Sequence, residues 1–209
     1  MSRRSRHLPP SLGRRAASRD PKIKITLVCE GRETEPQYFS ELARHFGSLL
    51  SINLVIERGA GVPLSILRKA RELLGDPADD FGKSDQVWAV FDRDEHPRVS
   101  EAINSAQAAG ISVAFSNPCF ELWLVLHYRD FDAPTKGAQI QRLLKSLMPG
   151  YDPRGKKHVA FSDICDCVEL AERRAESMET RREQERNSNG NPCSTVYKLS
   201  REIRRHGKK

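Results

Sequence analysis

The chain has 209 residues, of which 38% are hydrophobic and 30% charged, with a formal net charge of +7. That length supports one domain, or one domain with an appendage, whose core needs no disulfide staples. Apolar runs at helix and strand periods argue against wholesale disorder, and none approaches the ~18–20 residues of a bilayer-spanning helix. The charge sits at the ends: residues 1–20 carry +5, residues 201–209 carry +4, and residues 21–200 carry −2. Such ends either hold a polyphosphate partner by counterion release or are solvated tails.

Residues 1–21 show no periodicity and read as a basic tail, without the apolar core of a secretory signal. Ile23, Ile25 and Leu27 then alternate with Lys22, Lys24 and Thr26, which predicts a strand closing at Cys29. Thr34 or Glu35 starts a helix with Pro36 in its first turn, and Phe39, Leu42, Ala43, Phe46 and Leu50 share its apolar face. Ile52–Ile56 reads as a strand and Val62–Leu74 as a helix. After a polar loop, Val87–Phe91 is a strand, Val99–Ala109 a helix and Ile111–Phe115 a fourth strand. This βαβαβαβ order predicts a parallel sheet flanked by helices, an α/β fold over 22–116. From 117 to 205 the pattern predicts a helical extension: Phe120–Tyr128, Ala138–Leu147, a long charged helix over Asp163–Arg186 and a last helix from about Thr195. Arg173, Arg174, Arg181 and Arg182 interleave with glutamates on the long helix and read as a solvated, ion-paired face.

In parallel sheets, ligands gather beyond the carboxyl ends of the strands. Two such ends carry acids here. The first strand runs into Glu30–Gly31 and the third into Asp92–Arg93–Asp94. Aspartates at i and i+2 on an extended segment project to the same side and can share one hard cation, with Glu30 completing an oxygen cage. Mg²⁺ or Mn²⁺ suits such a set, which points to metal-assisted phosphoryl transfer or phosphodiester hydrolysis. The alternative is a plain acidic surface turn. Glu121 opens the helix after the fourth strand and becomes a further oxygen ligand if it faces the same edge. If it faces solvent, it is an acid favoured by the helix dipole. Asn117 reads as an N-cap or a substrate contact, and Arg32 as a phosphate contact. Glu35 reads as a ligand or a cap. Tyr151, Lys156 and Lys157 fall in a basic loop from which a lysine could neutralise a scissile phosphate. Five cysteines without a CxxC pair or clustered histidines argue against zinc and for reduced thiols in the cytoplasm.

LVCEGRETEPQYF (27–39), VWAVFDRDEH (87–96), SNPCFELWLVLHY (116–128) and NPCSTVYKL (191–199) resemble the successive signature blocks of the RloB-like proteins. The resemblance implies a Toprim-like core, as in type IA and II topoisomerases, primases and old-type nucleases. It places Glu30 as general acid/base or metal ligand and Asp92 and Asp94 as Mg²⁺ ligands, with a tyrosine–lysine element near Tyr151 and Lys156–Lys157. It further implies an endonuclease of DNA or tRNA, acting in antiphage or abortive-infection defence beside an ATPase of the ABC or AAA type. A homo-oligomer is compatible with this. The short chain argues against a topoisomerase, which needs a second domain with a transesterifying tyrosine, and against a DxD glycosyltransferase. Glu30 replaces the nucleophilic aspartate that a haloacid-dehalogenase-type phosphatase requires. The competing class is a regulatory or scaffold protein whose acids bind no metal. Convergence of Glu30, Asp92, Asp94 and Glu121 on one place is what the catalytic reading requires.

Overall fold

The computed structural model describes residues 22–75, 85–93, 96, 98–155 and 157–207. In chain order the elements are β1 (Ile23–Cys29), α1 (Thr34–His45), β2 (Ile52–Glu57), α2 (Pro63–Gly75), β3 (Gln86–Asp92), α3 (Val99–Ala108), β4 (Ser112–Asn117), α4 (Glu121–Tyr128), α5 (Gly137–Leu147), α6 (Val168–Gln184), β5 (Cys193–Ser194) and α7 (Val196–Arg205). The strands form one sheet in the order β2-β1-β3-β4-β5. All neighbours are parallel except β5, which runs antiparallel to β4. The protein is therefore α/β, with the Rossmann-like arrangement expected of the alternating pattern.

Period-2 geometry divides the core into two layers. Ile25, Leu27 and Cys29 of β1 and Trp88 and Val90 of β3 face one side, where α1, α4, α5, α6 and α7 cover them. Val28, Val87, Ala89, Phe91 and Phe115 face the other, under α2 and α3. Both faces of a parallel sheet are thereby removed from water, which is why its strands read as nearly continuous apolar runs.

α4 is the pivot of the larger layer. Glu121 through His127 are all buried, so the helix has no solvent face. The Tyr38 ring meets Phe39, Phe120, Trp123, His127 and Phe161 edge-on at centroid distances of 5.4–6.0 Å, the geometry favoured by ring quadrupoles. His127 Nδ1 lies 2.9 Å from the Trp123 carbonyl, which only accepts, so Nδ1 carries the proton and Nε2 accepts the Tyr38 hydroxyl at 3.1 Å. Burial lowers the His127 pKa to about 4, which keeps the ring neutral and structural.

Three details differ from the sequence expectations. The segment 117–205 is not wholly helical: Cys193–Ser194 pair with Ser116 and Asn117, and the Thr195 hydroxyl accepts the Phe115 N–H at 2.9 Å. Two residues are too few to carry a periodic signal. The long helix begins at Val168, after 3₁₀ turns at Phe161–Asp163 and Cys165–Cys167. Its charged face is also more than a solvated surface. Buried Glu172 accepts Arg204 and the Ser200 hydroxyl, each at 2.7 Å, and buried Arg182 pairs with Asp132 at 2.6 Å. These bonds bind α6 to α7 and to the loop after α4. None of the five cysteines is in a disulfide.

Trp123 is fully buried at the centre of the larger layer. Trp123→Ala is expected to cost about 3–5 kcal/mol of unfolding free energy. Urea titration checks this, and a loss below 1 kcal/mol would contradict the role given to α4.

Candidate functional site

β1 ends at Cys29, and the next residue, Glu30, is fixed by its own N–H, which donates to the Val90 carbonyl of β3 at 2.9 Å. The Glu30 carboxylate reaches across the same strand end. Its Oε2 accepts the Asp92 N–H at 3.0 Å, and its Oε1 lies 3.3 Å from His96 Nε2. Gly31 lets the chain turn without a side chain: its N–H donates to Glu35 Oε1 at 3.2 Å, and a Cβ there would collide with the Glu35 carboxylate. The turn is braced from below by Gly59, at φ 66°, whose N–H donates to the Gly31 carbonyl at 3.1 Å. The acid–glycine pair of the sequence is thus one structural unit, in which glycine permits a second glutamate to approach the backbone.

Asp92 closes β3; the residue as a whole is half-buried, but its carboxyl is packed round with protein atoms, Oδ2 accepting the Phe120 N–H at 2.9 Å. That bond links the end of β3 to the start of α4, where Glu121 follows. Glu121 is 3% exposed and accepts the Tyr151 hydroxyl, Gln141 Nε2 at 3.3 Å and the Lys157 ammonium at 3.5 Å. Glu30, Glu35, Asp92, Glu121, Arg32 and Lys157 all line one cavity of about 370 Å³ at the carboxyl edge of the sheet.

The electrostatics follow from crowding like charges in a small volume. Burial raises the Asp92 pKa well above the usual carboxylate range, and the Glu35, Glu121 and Glu30 charges raise it further, against the Phe120 N–H. Burial also raises Glu35, with Glu121 and Glu30 acting in the same direction against the backbone N–H groups that it accepts. Burial opposes ionisation of Glu121 too, but the Tyr151 hydroxyl and Lys157 outweigh it and hold that carboxyl below its ordinary range. The Tyr151 hydroxyl is correspondingly harder to ionise, through burial and the adjacent Glu121 charge.

The structure brings Glu30, Asp92, Glu121, Arg32 and Lys157 to one cavity. Tyr151 stands behind Glu121 with its hydroxyl committed to that carboxylate. Asn117 is in a neighbouring cavity, its side-chain amide donating to the Asn189 carbonyl at 2.8 Å. Asp94 and Lys156 lie outside the described residues. One participant carried little signal in the sequence: His96 is one more polar residue after the DRDE run. Glu35, open in the sequence between a ligand and a cap, lines the cavity.

The donor set is all oxygen and fits Mg²⁺ or Mn²⁺ in kind, since a cation would relieve the repulsion that raises Asp92 and Glu35. Its spacing is wider than one inner shell. Among the described residues, three ligand-type atoms meet within 4.8 Å only at His45, Cys165 and Asp166, away from this cavity. An ion here would be held by one or two carboxylates and complete its shell with water, the usual habit of Mg²⁺.

A parallel sheet with an acid-lined cavity at its carboxyl edge defines the class: an α/β protein with its candidate site at the strand ends. The sequence model of the RloB-like protein family matches residues 25–203, and the chain belongs to that family. No curated protein and no solved structure matches it significantly. No helix among the described residues is long and apolar enough to cross a membrane.

The raised Asp92 pKa has a definite sign. Ionising this group costs the folded state more than the unfolded one, so its contribution is most favourable below the ordinary aspartate range, about 3.9, and is lost as pH rises through the folded-state value. Asn retains the acceptor for Phe120. In chelated buffer, Asp92→Asn is therefore expected to raise the thermal midpoint at pH 8, with the difference closing toward pH 4. A midpoint lowered at every pH would contradict the assigned electrostatics.

Proposed function

We propose that the protein is a metal-dependent phosphodiesterase, an endonuclease of DNA or RNA, tRNA included, with its chemistry at the acid cavity. The observation that carries this reading is the meeting of Glu30, Glu35, Asp92 and Glu121 with Lys157 around one cavity at the carboxyl ends of β1 and β3. Asp92 and Glu121, with Asp94 two residues further along the sequence, would hold Mg²⁺ or Mn²⁺. When bound, the cation would supply Lewis-acid polarisation of a phosphate oxygen and a more acidic water.

The chain's own groups account for the remaining roles. Glu30 is oriented by the Asp92 N–H and faces His96, a setting in which a carboxylate takes a proton from water or contacts the cation. Lys157 lines the cavity beside Glu121 and would offset charge building on the phosphorane oxygens. Arg32, which lines the same cavity, would contact the phosphate. Tyr151 acts as a positioning residue that fixes Glu121. The resemblance to Toprim proteins supports this arrangement and extends it to a cytoplasmic effector of antiphage or abortive-infection defence, working with an ATPase of the ABC or AAA type.

The width of the acid set favours one rival: a regulatory or scaffold subunit whose carboxylates bind no cation while the ATPase partner does the work. Cleavage separates the two. With Mg²⁺ or Mn²⁺, the full chain is expected to nick plasmid DNA or cut tRNA, and Asp92→Ala and Glu30→Gln should each lower the rate about a hundredfold or more. Unchanged cleavage in both variants refutes the assigned site. Loss in both, with folding intact by circular dichroism, supports it.

A further inference from the structure

The acid cavity poses a problem for its own proposed substrate. A polyanion brought to five carboxylates, with only Arg32 and Lys157 against them among the described residues of the lining, is repelled before any cation contact is made. Productive affinity must therefore come largely from beside the acids. A second cavity lies along the same edge of the sheet, one strand further on. It measures about 860 Å³ and is lined by Arg93, His96, Asn117, Pro118, the 135–138 turn that opens α5, and Asn191. Among the described residues its charge has the opposite sign: they bring Arg93 and Lys136 to the lining and no carboxylate.

Both cations are exposed, and neither has a side-chain hydrogen bond or ion pair among the described residues. Arg182, Arg201 and Arg204, by contrast, are all spent on glutamates or aspartates that hold α6 in place. The walls around Arg93 and Lys136 are built rather than loose. The Arg93 N–H donates to the Ser116 carbonyl at 2.8 Å, which anchors the residue to the end of β4. The Asn191 amide clasps Thr135 in both directions: it accepts the Thr135 N–H at 3.0 Å and donates to the Thr135 carbonyl at 2.6 Å. This fixes the turn that presents Lys136.

The two cavities share a wall. His96 lines the second cavity while its Nε2 lies 3.3 Å from Glu30 Oε1, at the edge of the first. Arg93 is the immediate neighbour of Asp92. A chain of phosphates laid along the edge of the sheet would therefore pass from the basic cavity to the acidic one across the His96–Glu30 contact.

We propose that the basic cavity is a backbone subsite for a polynucleotide, in which Arg93 and Lys136 contact phosphates next to the one presented to the acids. The inference rests on the phosphodiesterase reading for the meaning of the acid cavity. It specifies a polynucleotide rather than a single nucleotide for two reasons. Among the described residues no Phe, Tyr or Trp lines the cavity, and its one imidazole, His96, is engaged with Glu30, so a base finds no broad stacking platform. Contacts to phosphate alone gain affinity from consecutive charges and carry no sequence information. The predicted binding is accordingly indifferent to base sequence and strongly dependent on salt.

The test uses the full chain in EDTA, where no cleavage occurs, and 5′-fluorescein oligonucleotides of DNA and of RNA followed by anisotropy. Arg93→Ala/Lys136→Ala is expected to weaken binding of at least one of them about tenfold and to reduce the slope of log K against log salt by about one to two units. Arg68→Ala/Lys69→Ala, on α2 across the sheet, removes the same formal charge and should change the affinity less than about twofold. An affinity and slope unchanged in the first pair overturn the proposal, as does equal weakening in the two pairs, which would assign the effect to net charge. A mononucleotide that binds as tightly as the oligonucleotide, and loses that binding in the first pair, overturns it in favour of a nucleotide pocket. Failure here is separable from failure of the catalytic reading. Oligonucleotide binding through Arg93 and Lys136 without cleavage under any divalent cation sinks only the latter, and cleavage by a chain indifferent to both substitutions sinks only the former.

Discussion

Carboxylates that repel one another are held around a single cavity by backbone hydrogen bonds at the ends of parallel strands. Glu30 is bound to the N–H of Asp92, Asp92 to the N–H of Phe120, and Glu35 to the N–H of Gly31. Each bond favours an ionised acid, and burial and the neighbouring charges oppose it. Asp92 and Glu35 show the opposition winning, with raised pKa values, while Glu121 is kept charged by Tyr151 and Lys157. A cluster of this kind costs stability in the absence of a counter-charge. Local costs of this sort concentrate at functional sites, where the rest of the fold offsets them.

That offset comes from the helical layer. Glu121 is placed by a helix buried on every side, and its partner Tyr151 is itself buried. The helix is held by the ring cluster around Tyr38 and by α6, which in turn is tied to α7 through Glu172 and Arg204. α7 returns to the sheet through Thr195 and β5. The residues after the fourth strand thus do more than cover the sheet. They supply one wall of the acid cavity and, with Asn191 and the 135–138 turn, most of the basic one.

The sheet was legible in the sequence because β1, β3 and β4 are apolar runs separated by amphipathic helices, and their observed limits lie within a residue or two of those expected. Glu30 and Asp92 were legible for a related reason: an acid just after a buried strand can only lie at the sheet's edge. β5 was not legible, since two residues have no period. The fate of the α6 arginines was hidden as well, because a Glu–Arg alternation reads the same whether water or another helix faces it. Glu121 stood open in the sequence between a ligand and a solvent-facing acid. The structure turns it into the cavity because the Phe120 N–H is fixed to Asp92, which sets the direction in which α4 starts. Of the basic cavity only Asn117 stood out in the sequence, as an N-cap or a substrate contact. Arg93, Lys136 and Asn191 come from three distant segments that share no motif and meet only through the β4–β5 pairing and the Asn191–Thr135 clasp.

The central claim is that these acids together bind a divalent cation, and Mn²⁺ reports on it directly. Electron paramagnetic resonance of the full chain titrated with Mn²⁺ should show a bound population that is lost, or weakened about tenfold or more, in Asp92→Asn and in Glu30→Gln. Absence of bound Mn²⁺ in the unsubstituted chain, or binding that ignores both substitutions, would contradict the account.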